Sequence, residues 1–549
     1  MRRLLAHLVA SRLRSLARRH AGSATSLVVL AIAAKAILGR VGTFDLGFDD
    51  ECYILDAGLG LPTRPLPPAE YGALYAVWYR VISALEPDPV GLYTFNWVVL
   101  QLGLAALLYA LSRRSGAPRL AAGIMTIVWP LSHAVMAWPF TVYFSTAILA
   151  FGALAATFTK DGLVAVTMLA IATATASFAR PELAIPGMPL AATAIVWSLA
   201  RALRSRCSRA LGAALAVAAT IAVLVRIFGS PLGGGRSYFA FEQHYALNRV
   251  EAEGLDVDPW TAYQPITTAA FPHARSIGEA ARENPSAFAW HVERNARLLP
   301  DKLAWFWDVT GYVPPALKVA LAWGARAVLI VGAFALTQRR RRVSPRLLAW
   351  LPIWIPVGAS FAAAVLLIRP RDHYLVPFGF FANATLAAAC GALARLPSRR
   401  APFVSLSGLV AALALFALLP TYRRGALPSL VEARGDPPPE DWDGRNTVEA
   451  LRALGLRGER VILAPEFSHA VYARIPFRWI PQNGKDRPFS DFLRQHDVDV
   501  VIASPRLRDD ARFRDDPEFR SFLEDDGDHR GFVLTRVPRS STTIAVRPK

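Results

Sequence analysis

Apolar runs of roughly twenty residues, broken by short basic turns, recur along most of this 549-residue chain. A run of that length crosses a hydrocarbon core of about 30 Å as a helix. A helix also satisfies its own backbone where no water can. Spans are expected at 23–40, 90–111, 120–136, 140–159, 162–178, 183–200, 209–228, 319–337, 347–368, 373–394 and 402–419, about eleven in all. Two long polar segments interrupt them, 41–89 and 229–317. In the first, Tyr71 to Leu85 is aromatic and apolar enough to form a helix lying in the membrane interface. In the second, Pro285 to Trp307 is an aromatic, amphipathic stretch. The pattern changes after residue 420, where Pro437-Pro438-Pro439 marks a linker. Helical periodicity over Thr447–Leu454 and Ser490–His496 then alternates with strand-like runs at Arg460–Ala464 and Val498–Ala503. A strand pair at Gly531–Val537 and Thr542–Val546 completes a small α/β domain. The chain therefore divides into a basic N-terminus (1–22), a transmembrane domain (23–420) and an α/β domain (421–549).

Composition agrees with this reading. The chain is 53% hydrophobic and 19% charged, against roughly a quarter charged in soluble proteins. Its excess of bases, 61 Lys+Arg against 42 Asp+Glu, could suggest a nucleic-acid partner, but the placement argues otherwise. The bases gather in short turns: Arg113-Arg114, Lys160, Arg201–Arg209, Arg339–Arg346 and Arg395–Arg400. With the N-terminus in the cytoplasm and the spans alternating, every one of these turns falls inside. Segments 41–89 and 229–317 and the α/β domain then fall outside, which places the protein in a plasma (inner) membrane as a multi-pass chain without nucleic-acid binding. Residues 1–20 read as a basic amphipathic helix on the cytoplasmic surface. No small-residue cleavage site precedes the acidic loop, so an uncleaved start is expected. The cysteines Cys52, Cys207 and Cys390 lie in separate regions and imply no disulfide framework.

Candidate chemistry collects on the outer side. Asp49-Asp50-Glu51, with Tyr53 just after, opens the first external segment. Clustered acids can raise one another's pKa and so make a base or a cation site; the plain alternative is a solvated acidic loop. Arg180-Pro181-Glu182 interrupts an apolar stretch, and Arg369-Pro370-Arg371-Asp372-His373-Tyr374 sits at another outer turn. His244-Tyr245 lies in the large external segment. Each could be an interfacial anchor or a local ion pair, but three sets on one face beside an acidic cluster point to a shared site. Carboxylates with arginines suit transfer from a lipid-anchored phosphate donor. A carboxylate takes a proton from the acceptor hydroxyl, and arginines stabilise charge on the departing phosphate.

These motifs resemble the GT-C superfamily of polyprenyl-phosphate-sugar-dependent glycosyltransferases, in the branch of protein O-mannosyltransferases and aminoarabinose transferases. Asp49-Asp50 with Tyr53, followed by Pro67-Pro68, matches the family's first external loop. The resemblance puts Asp49 at the general-base position, with Asp50 as the alternate. Arg180-Pro181-Glu182 is similar to the family's Arg-Pro-Glu element, and Arg371 to Tyr374 with Pro377 to the late element associated with the lipid phosphate. Asn284-Pro285 to Asn295 is similar to the helix of the large external loop. The chain departs from the pattern in two places. Met136-Ala137-Trp138-Pro139-Phe140 carries no second acid, and Leu66 stands where a basic residue often precedes the Pro-Pro pair, leaving Arg64 as the candidate substitute. The resemblance implies an inverting transfer from a polyprenyl-phosphate sugar to a cell-envelope glycan, lipid or protein, within membrane lipids. It implies that Glu51, Tyr53, Arg64, Arg180, Glu182, His244, Arg371, His373 and Tyr374 bind substrate. No cofactor is required by this reading; a divalent cation near Asp49 and Asp50 stays open beside a metal-free base. Two other readings stand next to it: a transporter or flippase of a lipid-linked sugar, and a non-catalytic membrane scaffold. The transporter reading accounts less well for ionisable groups at the outer ends of spans rather than at mid-span.

Overall fold

The computed structural model describes residues 26–38, 41, 45–46, 50–132, 140–205, 208–232, 235–306, 344–394 and 443–548. The basic N-terminus, Asp49, Met136–Pro139, Cys207, the spans at 319–337 and 402–419, and Pro437–Pro439 lie outside them.

Among the described residues four helices are long and apolar enough to cross a membrane: Pro89–Arg114, Pro181–Ser205, Ser208–Phe228 and Pro345–Ile368. Shorter apolar helices, among them Ser26–Leu38, Thr141–Ala156 and Gly162–Ser177, complete the bundle, together with Val376–Ala394. Local chemistry sets their ends. Asp88 caps Pro89–Arg114, accepting from the N–H groups of Val90 at 3.1 Å and Gly91 at 3.0 Å. Pro89 occupies the first turn, where no N–H is needed, and two arginines close the last turn against the helix dipole. Asp161 caps Gly162–Ser177 through the Leu163 N–H at 3.0 Å. Inside the bundle small residues let backbones approach, as membrane helices require. A Cβ on Gly152 would sit 2.3 Å from that of Ala172. Two of the largest buried side chains place their polar atoms on partners: Trp129 Nε1 donates to Gln101 at 3.1 Å and Trp350 Nε1 to Ser115 Oγ at 2.8 Å.

Helix Pro345–Ile368 is irregular. It runs as an α-helix to Trp350, a 3₁₀ turn over Leu351–Ile353, α-helix again over Trp354–Ala363 and a π-turn over Ala364–Ile368. Proline at 352 and 356 accounts for the first break, each removing a backbone donor. The carbonyls released at the π-turn find partners in the second long polar segment. Asn295 Nδ2 donates to the Leu366 oxygen at 2.9 Å and the Ile368 oxygen at 3.1 Å, and His291 Nε2 donates to Leu367 at 3.2 Å. That segment is itself helical, with helices Arg236–Glu253, Tyr263–Ala270, Ile277–Glu283 and Pro285–Phe306.

The C-terminal unit holds a five-stranded sheet of β1 (Arg460–Leu463), β2 (Phe477–Ile480), β3 (Val500–Ala503), β4 (Val533–Arg536) and β5 (Thr543–Val546), ordered β2-β1-β3-β5-β4. β1 runs parallel to β2 and β3, while β5 pairs antiparallel with β3 and β4 in a register that sets Val501 against Ala545. The central strand β3 is buried on both faces and reads as a continuous apolar run. The edge strand β2, Phe-Arg-Trp-Ile, is half exposed, so it left no clear alternation to find.

This unit docks onto the membrane domain through named pairs. Asp45 accepts from the backbone N–H of Gly444 at 2.6 Å and Arg445 at 2.9 Å, capping helix Asp443–Ala453 from 399 residues earlier in the chain. Arg452 reaches Asp88 at 2.7 Å, and the ring of Tyr472 meets Tyr93 edge-on with centroids 5.8 Å apart. The chain is thus a polytopic helical membrane protein with a small C-terminal α/β unit.

Candidate active site

Five separated segments converge at the end of the bundle that carries the α/β unit. Helix Asp50–Gly60 starts within the acidic triplet, and carboxylates in a first turn suit the positive end of a helix. Asp50 opens it, directly after Asp49. Glu51 turns inward and is only 1% exposed, so it is not part of a solvated loop. Its carboxylate accepts from the Tyr79 hydroxyl, within a buried network in which Asn96 Nδ2 donates to Tyr79 at 2.9 Å and Tyr75 at 2.5 Å. Tyr53 points the other way. Its ring lies 5.4 Å from that of Tyr71, and the Arg236 guanidinium sits 4.7 Å over Tyr71. Arg64 folds back onto the same helix and pairs with Asp56 at 2.8 Å, largely in solvent.

The turn that carries Tyr71 is pinned to the Arg180 segment. Gly72 has φ +79°, and a Cβ there would lie 2.8 Å from the Ala179 oxygen, so only glycine fits. The Leu74 N–H donates to the Phe178 oxygen at 3.2 Å. Arg180 therefore emerges beside Tyr71. Its Nε donates to Glu182 at 2.5 Å and its guanidinium lies 5.4 Å from the Tyr374 ring. Beyond the π-turn, Arg369 is held by both oxygens of Glu251 at 2.8 Å. Pro370 then redirects the chain. Arg371 lies 5.7 Å over the Trp260 ring, exposed, with no carboxylate partner among the described residues. His373 is buried and stacked on Phe140 at 4.8 Å, and Tyr374 follows it at 4.2 Å. The charges of Arg180, Arg236 and Arg371 all act on both His373 and Tyr374. Three cations thus lie within electrostatic reach of one aromatic pair, with Arg180 alone against the Tyr374 ring.

A cavity of about 20 Å³, lined by Arg180, Glu182, Ser145, Ser360 and Tyr374, has room for a water. Arg371 lies outside that lining and is exposed. His244 borders this region. Its Nδ1 meets the Ala240 oxygen at 2.6 Å, and because a carbonyl can only accept, Nδ1 carries the proton. Burial, reinforced by Arg371 and Arg369, lowers its pKa to about 3, so the ring is neutral at physiological pH. Its Nε2 is a buried acceptor without a partner among the described residues. His244 therefore adds a hydrogen-bond acceptor rather than a fourth cation.

The structure brings together Tyr53, Arg180, Glu182, His244, Arg371, His373 and Tyr374. It sends Glu51 into the core and folds Arg64 back onto the exposed side of helix Asp50–Gly60, and Asp49 lies outside the described residues. Arg236 escaped the sequence reading. The signal for it was the run Gly233-Gly234-Gly235 just before an arginine that opens a helix. Among the described residues no group of three or more His, Cys, Asp or Glu is placed to hold a metal ion.

No protein-family model matches the chain, and no curated protein matches it. Among solved structures it is similar to the Archaeoglobus fulgidus oligosaccharyltransferase in the apo form, at 14% identity and TM-score 0.46, covering 95% of this chain and 74% of that one. It is also similar to ArnT from Cupriavidus metallidurans bound to undecaprenyl phosphate, at 12% identity and TM-score 0.37, covering 95% of this chain and 98% of that one. Both likenesses are low in identity and loose in superposition.

Proposed function

We propose that the chain is an integral-membrane glycosyltransferase that moves a sugar from a polyprenyl-phosphate donor to an acceptor hydroxyl on the outer side of the membrane. The observation that carries this reading is the gathering of Arg180 against Tyr374, Arg236 over Tyr71 and Arg371 over Trp260, with Tyr53 of the helix that starts in the acidic triplet against the same Tyr71. A donor phosphate placed against Arg371 and Arg236 would be held by charge-assisted hydrogen bonds. The Asp49 carboxylate, one residue before helix Asp50–Gly60, takes the proton of the acceptor hydroxyl. The acceptor oxygen bonds to the anomeric carbon as the bond from that carbon to the phosphate oxygen breaks. The electron pair leaves with polyprenyl phosphate, and configuration inverts. Cations fixed around the departing phosphate stabilise charge that grows in the transition state. Arg180 is partly neutralised by Glu182, so Arg371, with no carboxylate beside it, takes the larger share.

The test is a transfer assay. Purified protein and its Asp49→Asn variant are incubated with a panel of polyprenyl-phosphate sugars and a cell-envelope acceptor extract. Transfer by the parent and loss in the variant, with both equally folded, supports the reading. Donor movement across proteoliposomes without transfer would favour a transporter instead.

A further inference from the structure

The end of the bundle opposite the candidate site holds a second and larger cavity, of about 890 Å³. The same helices that build the site build this cavity at their other ends. Pro89–Arg114 starts at Asp88 beside the α/β unit and delivers Arg113 and Arg114 here, about 39 Å away at 1.5 Å per residue. Thr141–Ala156 starts at the Thr141 that touches Arg180 and ends at the Thr157 and Phe158 of the lining. Pro345–Ile368 ends beside Arg369 and starts at the lining residues Pro345 and Arg346. The basic-turn pattern assigns this end to the cytoplasm.

The lining carries four cations, Arg113, Arg114, Lys160 and Arg346, and one carboxylate, Asp161. Both oxygens of Asp161 are taken by Arg201, at 2.7 and 2.9 Å. Among the described residues none of the four cations pairs with a carboxylate, and Arg346 acts repulsively on Arg114. Arg114 is also held in place, with Nη2 on the Thr157 oxygen at 3.1 Å and its guanidinium 4.0 Å over the Phe158 ring. Like charges fixed around an open space call for an anion. Apolar residues of the same wall narrow its source: Phe158 is 67% exposed and Leu348 is 52% exposed. A soluble anion has no use for them, whereas acyl chains do. Basic pockets between membrane helices are where anionic headgroups bind.

We propose that this cavity binds the phosphate headgroup of an anionic membrane phospholipid, with the acyl chains lying along Phe158 and Leu348. Native mass spectrometry of the full-length protein in detergent tests it, using phosphatidylglycerol, phosphatidylcholine of matched chains, and inorganic phosphate. Phosphatidylglycerol should bind in preference to phosphatidylcholine. Each cation removed should weaken it about fivefold, so Arg114→Gln with Arg346→Gln should cost about twenty-fivefold. Arg346→Gln alone, at an exposed position with no hydrogen bond to lose among the described residues, covers the case in which the double variant misfolds. Arg209→Gln, a cation on helix Ser208–Phe228 outside the lining, should stay within twofold. Equal binding of both lipids would overturn the proposal, as would unchanged binding in the folded variants or equal loss in Arg209→Gln. Displacement of phosphatidylglycerol by equimolar inorganic phosphate would assign the cavity to a soluble anion.

Discussion

Asp45 joins the first long polar segment to the α/β unit, and its substitution tests how that docking is held. The carboxylate accepts the N–H groups of Gly444 at 2.6 Å and Arg445 at 2.9 Å, two of the four donors that a helix start leaves without partners. It also accepts its neighbour Leu46 at 2.7 Å. Losing a helix cap costs about 0.5–2 kcal/mol, and hydrogen bonds to a charged acceptor sit at about 1.5–3 kcal/mol. Burial opposes this by raising the Asp45 pKa, an effect larger than the lowering by the backbone donors and Arg445. The ionised group is therefore held at some cost, and Asp45→Ala should lose a net of about 2 kcal/mol. Asp45→Asn keeps an acceptor at the helix start without burying a charge, so it should stay within about 0.5 kcal/mol. Hydrogen exchange read at the Gly444 and Arg445 amides checks both. Two kcal/mol corresponds to about thirtyfold faster exchange through local opening, while the asparagine variant should change little. The sign with pH follows from the raised folded pKa: this contribution is fullest below the ordinary aspartate pKa and declines as pH rises through the folded value. Unchanged protection in Asp45→Ala would refute the reasoning. Equal loss in Asp45→Asn would show that the charge, not the acceptor, holds the joint.

Arg371→Gln should lower transfer by about 10²–10³ with the fold intact, the scale for removing one transition-state donor, and Arg371→Lys should recover only part of it. A rate within twofold of the parent would remove Arg371 from the site. Glu51→Ala leaves the buried Tyr79 hydroxyl without its acceptor and should cost about 2–4 kcal/mol in thermal unfolding, whereas Glu51→Gln should cost clearly less; equal losses would contradict a hydrogen-bonding role. Burial lowers His244 to a pKa of about 3 and His291 to about 4. For bases depressed in the fold, stability is complete above the ordinary histidine pKa and is lost as pH falls towards the folded values. The limits are about 5 and 3 kcal/mol respectively. Helices Arg236–Glu253 and Pro285–Phe306 should therefore lose protection, measured against the intrinsic exchange rate at each pH, on acidification from pH 7 to 4, and unchanged protection would count against this.

Much of the architecture is legible in the chain because it follows from short-range periodicity. Apolar runs mark helices such as Pro89–Arg114 and Ser208–Phe228, and short strand-like runs find β1, β3 and the β4–β5 pair within a few residues. The Arg-Pro-Glu and Arg-x-His-Tyr elements also stand out, since ionisable groups at span ends are costly without a purpose. Tertiary structure decided the rest. Glu51 and Tyr53 are two residues apart, yet one enters a tyrosine network and the other faces Tyr71, because helix Asp50–Gly60 turns its residues to different faces. Arg236 joins Arg180 and Arg371 only because Gly72 lets the Tyr71 turn close against Ala179. Asp45 caps a helix 399 residues away, and no window along the chain contains that pairing. Hydrophobic pattern is a property of neighbours in sequence and so can be read from it. Convergence of charges is a property of neighbours in space, set by how close small residues let backbones approach.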